Sequence, residues 1–380
     1  MPSPIPCQRA MFDMPDDVAW LNCAYMSPLM KAALAAGEAG MRGKARPWTI
    51  APADFFPGPE EARRLFARIV NAAADEIAIV PSASYGLAVA ARNLTAPMGA
   101  RILLLAEQFP SNVYAWQELA RRTGAAIDTV ARPADDDWTT AILDRIDDDV
   151  ALAALPHCHW TDGALVDLER VASALRQVGA ALALDITQSG GALPIDVRRI
   201  RPDFLVCASY KWLLGPYSLG FLYVDPKYHR GRPLEYNWIA RAGSEDFAGL
   251  VNYRDDYQPG ARRFDVGELS NFTLVPQANA AMRQILDWGV EAIYATLSER
   301  NEAIAARAAT LGIGSVAQQL RAGHYLGLKF ADGVPRGLGQ RLAAENIHVS
   351  VRGTAMRVTP HLYNTDTDID RFFAVLERNL

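Results

Sequence analysis

The chain has 380 residues, half of them hydrophobic and 21% charged, with a formal net charge of -5. That composition is ordinary for a globular protein, and the length exceeds one compact core, so a large domain with a smaller companion is expected. The acidic balance, and the lack of any Lys/Arg cluster that could follow a phosphate backbone, argue against a nucleic-acid partner. Cys7, Cys23, Cys158 and Cys207 lie far apart without a Cys-x-x-Cys pair, which disfavours zinc-knuckle and thioredoxin-type chemistry. Cys158 and Cys207 read as small core residues. Met1–Ala10 lacks a basic segment followed by an apolar one, and no apolar run approaches the roughly 18 residues needed to span a membrane. A cytoplasmic protein is the expectation.

From about Asp75 to Val224, short apolar runs alternate with helix-patterned stretches. The expected strands are Ile77–Val80, Arg101–Leu105, Val150–Leu155, Ala180–Leu184, Phe204–Ala208 and Gly220–Val224. Helical spacing covers Ser84–Asn93, Val113–Thr123 and Asp167–Val178, where Leu168, Val171, Leu175 and Val178 recur on one face. Such alternation predicts an α/β fold with a mainly parallel, doubly wound sheet covered on both faces. Asp225–Gly267, rich in Arg, Asp, Tyr, Gly and Pro, reads as irregular surface structure. A helical pattern then runs through Pro276–Trp288 and Glu291–Leu311. The tail reads as a small α+β C-terminal domain with strands Tyr325–Phe330, His348–Val351 and Met356–Val358 and a closing helix over about Asp366–Asn379. The expected division is an N-terminal segment over the active site (1–25), a large domain (26–288) and a small one (289–380).

Ligands of doubly wound sheets bind beyond the carboxyl ends of the strands. Asp185 ends the run Ala-Leu-Ala-Leu, and Lys211 lies three residues past Phe204–Ala208. The chain has only five lysines. Lys31 falls in a helix-like stretch, Lys44 in a basic loop, Lys227 in a turn after Asp-Pro, and Lys329 outward on a strand. Only Lys211 is enclosed by aromatic and apolar neighbours (Tyr210, Trp212, Leu213 and Leu214). Such surroundings disfavour the ammonium form, as a Schiff-base amine requires.

Asp185 in Ala-Leu-Asp-Ile-Thr-Gln, with Ser209-Tyr210-Lys211-Trp212 followed by Gly215-Pro216, resembles fold-type I enzymes dependent on pyridoxal 5'-phosphate (PLP). More narrowly it resembles the class V aminotransferase group, which includes kynureninases, cysteine desulfurases and isopenicillin-epimerase-like proteins. The resemblance runs across nearly the whole chain and implies PLP bound to Lys211, with Asp185 keeping the pyridine nitrogen protonated. It places Gln188 near the cofactor's phenolic oxygen. Pro81-Ser82-Ala83-Ser84-Tyr85-Gly86 precedes a helical stretch, so backbone N–H groups there, those of Ala83 and Ser84 among them, are expected to bind the phosphate, with Tyr210 and Ser209 close by. Asp203 and Ser209 support the lysine strand. Glu107-Gln108-Phe109-Pro110 is similar to the kynureninase version, in which an aromatic residue, here Phe109, covers the ring; the desulfurases carry His there. Met356-Arg357-Val358-Thr359-Pro360 resembles the motif whose Arg binds the substrate α-carboxylate. Asn22 matches an N-terminal motif folding over the site. A Gly-Thr pair that relatives use to reach a neighbouring subunit's phosphate is absent near Phe264–Asn271, and Ser270 or Asn271 is the replacement. His157, His159 and Trp160 fall in the segment near the substrate. His157 and His159 with Asp162 are too few and irregular for a metal site, so no metal is expected.

The shared residues do not fix the reaction. Between His348 and Arg357 the chain runs Val-Ser-Val-Arg-Gly-Thr-Ala-Met, and its C-terminal half beyond Cys207 has no cysteine, which disfavours cysteine-nucleophile desulfuration. Transamination of an amino-acid substrate is the first expectation by the breadth of the group. Kynureninase-like or C–S β-elimination and epimerisation remain. A nicotinamide oxidoreductase would need a Gly-x-Gly-x-x-Gly after a strand, which is absent, and an inactive PLP-fold interaction protein would have no reason to keep Asp185, Lys211 and Arg357 together. The resemblance also implies a homodimer.

Overall fold

Alternating apolar residues along the central strands feed two cores, one on each side of a single sheet. The computed structural model describes residues 4–380; residues 1–3 of the expected N-terminal segment lie outside it. In chain order come β1 (Ala19–Trp20), α1 (Lys31–Lys44), α2 (Pro57–Val70), β2 (Ile77–Val80), α3 (Ala83–Asn93), β3 (Arg101–Leu105) and α4 (Ser111–Thr123). Next are β4 (Ala126–Val130), α5 (Trp138–Leu143), β5 (Val150–Pro156), α6 (Leu168–Gln177), β6 (Ala181–Asp185), α7 (Val197–Ile200), β7 (Phe204–Ala208) and β8 (Gly220–Val224). Short 3-10 turns and loops fill Asp225–Gly267, as the composition predicts. Then follow α8 (Leu274–Trp288), α9 (Val290–Thr310), β9 (Gly314–Ser315), β10 (Leu326–Lys329), α10 (Leu338–Ala344), β11 (Ile347–His348), β12 (Ser350–Arg352), β13 (Ala355–Val358) and α11 (Asp366–Glu377).

The seven-stranded sheet has the order β2-β8-β7-β6-β5-β3-β4. All pairs are parallel except those of β8, which runs against both neighbours. This is the mainly parallel α/β sheet expected. Because side chains alternate across a strand, Leu103, Leu105, Leu182, Leu184, Leu205 and Cys207 enter one core. Ile102, Leu104, Ala183, Phe204 and Val206 enter the other, with α3 and α4. The strand order reverses around β3, which has β4 on one side and β5 on the other. Beyond the carboxyl ends at that reversal, a parallel sheet leaves room for a ligand.

A four-stranded antiparallel sheet, β12-β13-β10-β9, and a two-stranded parallel one, β1-β11, make up the C-terminal layer. Its own core includes Leu326, Leu328, Met356, Val358, Phe372 and Phe373. The expected single strand His348–Val351 is in fact split. Ile347–His348 pairs with Ala19–Trp20, more than 300 residues away in sequence, while Ser350–Arg352 joins β13. Lys44 is not in a loop but ends α1. The glycines that make α1 look broken are there for close packing: a Cβ at Gly40 would collide with the Phe272 carbonyl just before α8. Helix α2 opens on Pro57-Gly58-Pro59, where a proline costs no hydrogen bond. Strand β4 escapes the apolar pattern because it is the sheet edge, with only Val130 buried. No described helix is long and apolar enough to cross a membrane.

Candidate active site

After β7 the chain folds into a tight loop that leaves Lys211 under the sheet's carboxyl edge. Ser209 N–H donates to the Leu219 carbonyl at 3.0 Å, Gly215 N–H to the Ser209 carbonyl at 2.9 Å and Leu214 N–H to the Lys211 carbonyl at 3.1 Å. Leu214 takes a left-handed conformation (φ 52°) to close it. Below the loop, Asp203 accepts from Leu182 N–H at 2.7 Å and from the Tyr228 hydroxyl at 3.0 Å, which locks β7 to β6. The Ser209 hydroxyl is spent on the Pro216 carbonyl and does not line the cavity, which corrects its expected place beside the cofactor.

Lys211 is 6% exposed. Burial pushes its amine down to about 8, against the opposing pull of Asp185, and the charges of Arg357 and Arg352 add to the lowering. Its Nζ lies 5.4 Å from the Phe109 ring centroid and 5.5 Å from that of Tyr210. The lowered pKa raises the share of neutral amine at physiological pH, and the neutral amine is the form that attacks a carbonyl. Asp185 caps the end of β6, and burial raises its carboxyl above the usual range, partly offset by Thr187 and Lys211. Its Oδ1 accepts from Thr187 N–H at 2.9 Å. Among the described residues, no lysine or arginine forms an ion pair with it. A buried carboxyl without a cation fits a protonated ring nitrogen as its partner.

Lys211 and Asp185 share a cavity of about 240 Å³ with Ser82, Ala83, Ser84, Phe109, Trp160, Gln188 and Tyr210. Ser82 caps α3 by accepting from Tyr85 N–H at 3.1 Å, and its hydroxyl meets that of Ser84 at 2.9 Å. The first turn of α3 thus presents free N–H groups and hydroxyls to one side of the cavity, which suits an anion. Phe109 is half-exposed at the mouth, edge-on to Trp160 with centroids 5.3 Å apart. Gln188 is held on both ends of its amide, donating to the Ala24 carbonyl at 3.1 Å and accepting from Trp212 Nε1 at 3.2 Å.

Several expected residues stand elsewhere. His159 is fully buried, stacked on Trp138 at 5.2 Å. Its Nδ1 meets the Thr161 hydroxyl at 2.7 Å and its Nε2 the Ala106 carbonyl at 3.1 Å, so both nitrogens are occupied and no contact with substrate is open to it. Its neighbour Trp160 is the one that lines the cavity. His157 is buried away from the cavity, and burial pushes it down to about 3. Ser270 donates to the Phe55 carbonyl, and Asn271 caps α8 through Thr273 and Leu274 N–H. Neither reaches the cavity of its own chain.

Arg357 lies behind Trp160, 2% exposed, with its guanidinium carbon 5.9 Å from that ring. Its Nε and Nη2 donate to Ser350 Oγ at 2.9 and 2.7 Å, and Nη1 to the Tyr325 hydroxyl at 3.2 Å. Ser350 in turn donates to Asn22 Oδ1 at 2.9 Å, so Asn22 is linked to Arg357 through Ser350. Sequence reasoning missed Thr187 and Arg132. Arg132 joins Glu107 (2.8 Å) to Asp162 (2.6 Å) and so holds the Phe109 loop against the Trp160 loop. Nothing in its polar surroundings marks it in one dimension. Cys158 also lines the cavity, but burial raises its thiol far above the range of a nucleophile.

Residues 52–372 match the family model Aminotransferase class-V. The Bacillus subtilis protein named as an uncharacterized aminotransferase, YcbU, is 29% identical over 82% of this chain and 80% of its own length. The kynureninase of Deinococcus radiodurans is 29% identical over 70% of this chain, and the match spans just under two thirds (65%) of the kynureninase. A solved structure of a C-DES mutant with glycine covalently linked to its PLP cofactor superposes with a TM-score of 0.87 at 19% identity, covering 97% of this chain and 98% of the other. The chain belongs to the class V aminotransferase family, has the PLP-dependent type I fold and takes pyridoxal 5'-phosphate as its cofactor. The buried amine, the uncompensated Asp185 carboxyl and the open turn of α3 all fit that group.

Proposed function

We propose that Lys211 is the covalent anchor of PLP in this class V family member, and that the chain acts on the α-amino group of an amino acid as an aminotransferase. The observation that carries this reading is Lys211 itself, a buried amine held near pKa 8 between Asp185 and Phe109. When bound, the cofactor supplies an electron sink for bonds at the substrate's α-carbon.

The chain's residues divide the remaining work. Asp185 keeps a proton on the ring nitrogen, because a buried carboxylate is most stable beside a cation. Ser82, Ala83 and Ser84 at the start of α3 receive the phosphate, with Tyr210 beside them. Phe109 and Trp160 cover the mouth and limit water. Lys211, with its amine lowered to about 8, would carry a proton to and from the substrate's α-carbon at neutral pH. Arg357 holds the α-carboxylate in its planar fork, and Asn22 and Ser350 fix the fork's orientation.

A lyase reading stands second, favoured by the kynureninase relatives that match 70% of the chain. The same proposal takes the chain as a homodimer, supported by the exposed aromatic side chains Tyr217, Tyr236 and Tyr253 in and near the irregular stretch. An amino-acid panel with and without a 2-oxo acid separates the reactions. Turnover that requires the 2-oxo acid is expected. Release of pyruvate or alanine without it would replace the aminotransferase reading by the lyase one.

A further inference from the structure

The hairpin β12–β13 carries two arginines on one face. Its register sets Ser350 opposite Arg357, Val351 opposite Met356 and Arg352 opposite Ala355. Side chains alternate across a strand, so Arg352, Ser350 and Arg357 fall on one side and Val351 and Met356 on the other. Met356 enters the small core with Leu328. The arginine face therefore turns the opposite way, toward the loop after β5. Gly327, cross-strand from Arg357, packs on that loop so closely that a Cβ would lie 2.5 Å from the Asp162 α-carbon. Diagonal neighbours of this kind have α-carbons about 7–8 Å apart, within reach of long side chains meeting one ligand.

The charges on this face are served unequally. Lys329 pairs with Asp136 at 2.6 Å. Arg352, half-buried, makes only a local bond from Nη1 to the Val351 carbonyl at 2.8 Å. Among the described residues, neither Arg352 nor Arg357 has a carboxylate within ion-pair distance. Burial and the neighbouring Arg357 both lower the Arg352 guanidinium, and Tyr25 and Tyr325 lie within range of it. Arg357 Nη1 donates to the Trp160 carbonyl at 3.3 Å, and Trp160 lines the Lys211 cavity, so the arginine face borders the space where substrate must sit. Two like charges in a half-dry space are unfavourable unless an anion joins them. The α-carboxylate of a neutral amino acid answers only Arg357.

We propose that Arg352 receives a second carboxylate, carried on the substrate's side chain, so that the substrate is a dicarboxylic α-amino acid. This deepens the reading above and rests on its assignment of the α-carboxylate to Arg357. Arg352 is then the specificity-determining residue. It selects an acid over its amide because the amide leaves the guanidinium without a counter-charge.

The test compares aspartate and glutamate with asparagine and glutamine on the holoenzyme and its Arg352→Gln and Arg352→Lys variants. A parallel titration with succinate and glutarate against butyrate is read from the cofactor's absorbance. The acids should exceed their amides in kcat/KM, and the dicarboxylates should bind more tightly than butyrate, each by at least about tenfold, as one charge-assisted contact implies. Arg352→Gln should erase that margin through KM, and Arg352→Lys should recover part of it. Amides used as well as acids, or a margin that survives Arg352→Gln, would overturn the proposal. Failure of the parent reading shows separately, as no cofactor attached to Lys211, and would sink both. Arg352 has no ion pair to lose, so an unchanged melting temperature distinguishes lost recognition from lost folding.

Discussion

Arg63 on α2 and Arg357 on β13 are 1% and 2% exposed, but their surroundings differ in one respect. Arg63 lies between Asp265, whose Oδ1 accepts from Nη1 at 2.9 Å, and Glu60 at 3.0 Å, and it also donates to the Ile77 carbonyl at 2.6 Å. Arg357 has a serine, a tyrosine and the Trp160 carbonyl, and no acid. A buried cation with a buried counter-ion belongs to the scaffold, since removing either partner strands the other. A buried cation served only by neutral groups is under-satisfied, and the role proposed for Arg357 is to take the carboxylate that arrives with the substrate.

Substitutions at the two positions should therefore separate stability from binding. Arg63→Met strands the Asp265 carboxylate and is expected to cost about 3–5 kcal/mol of folding stability, visible as a lowered melting temperature. An unchanged melt would place Arg63 outside the scaffold. Arg357→Gln is expected to leave the melt nearly unchanged while costing about 2–4 kcal/mol of substrate recognition. That loss should appear mainly as a raised KM, because the α-carboxylate is bound alike before and during reaction. A large fall in stability with an unaltered KM would break the contrast.

How much of this can be read from sequence depends on how local each cause is. The strands of the large sheet are continuous apolar runs with turn residues at their ends, so Arg101–Leu105, Phe204–Ala208 and Gly220–Val224 are legible to the residue. Lys211 and Asp185 stand out for the same reason: Asp185 follows such a run directly and Lys211 three residues after one, and the other four lysines have polar or exposed settings. The two-residue pairing of Ala19–Trp20 with Ile347–His348 leaves no pattern, because its cause lies at the other end of the chain.

Site residues divide in the same way. His159 looks reactive in His-x-His, yet it stacks on Trp138 of α5, and its nitrogens are taken by the Ala106 carbonyl after β3 and by the Thr161 hydroxyl of its own loop. Ser209 sits beside the lysine in sequence and turns its hydroxyl to Pro216, a consequence of loop geometry. Arg352 reads as one more charge in a hairpin. Only the register with Arg357 and the missing acids around it make it a candidate for recognition.

The central claim is that Lys211, among five lysines, carries the cofactor. Reducing the PLP-loaded protein with borohydride, digesting it and mapping the labelled peptide tests this directly. The pyridoxyl group should appear on the peptide containing Ser209-Tyr210-Lys211-Trp212, and Lys211→Ala should abolish both label and turnover. A label on Lys31, Lys44, Lys227 or Lys329, or full activity in Lys211→Ala, would contradict the account.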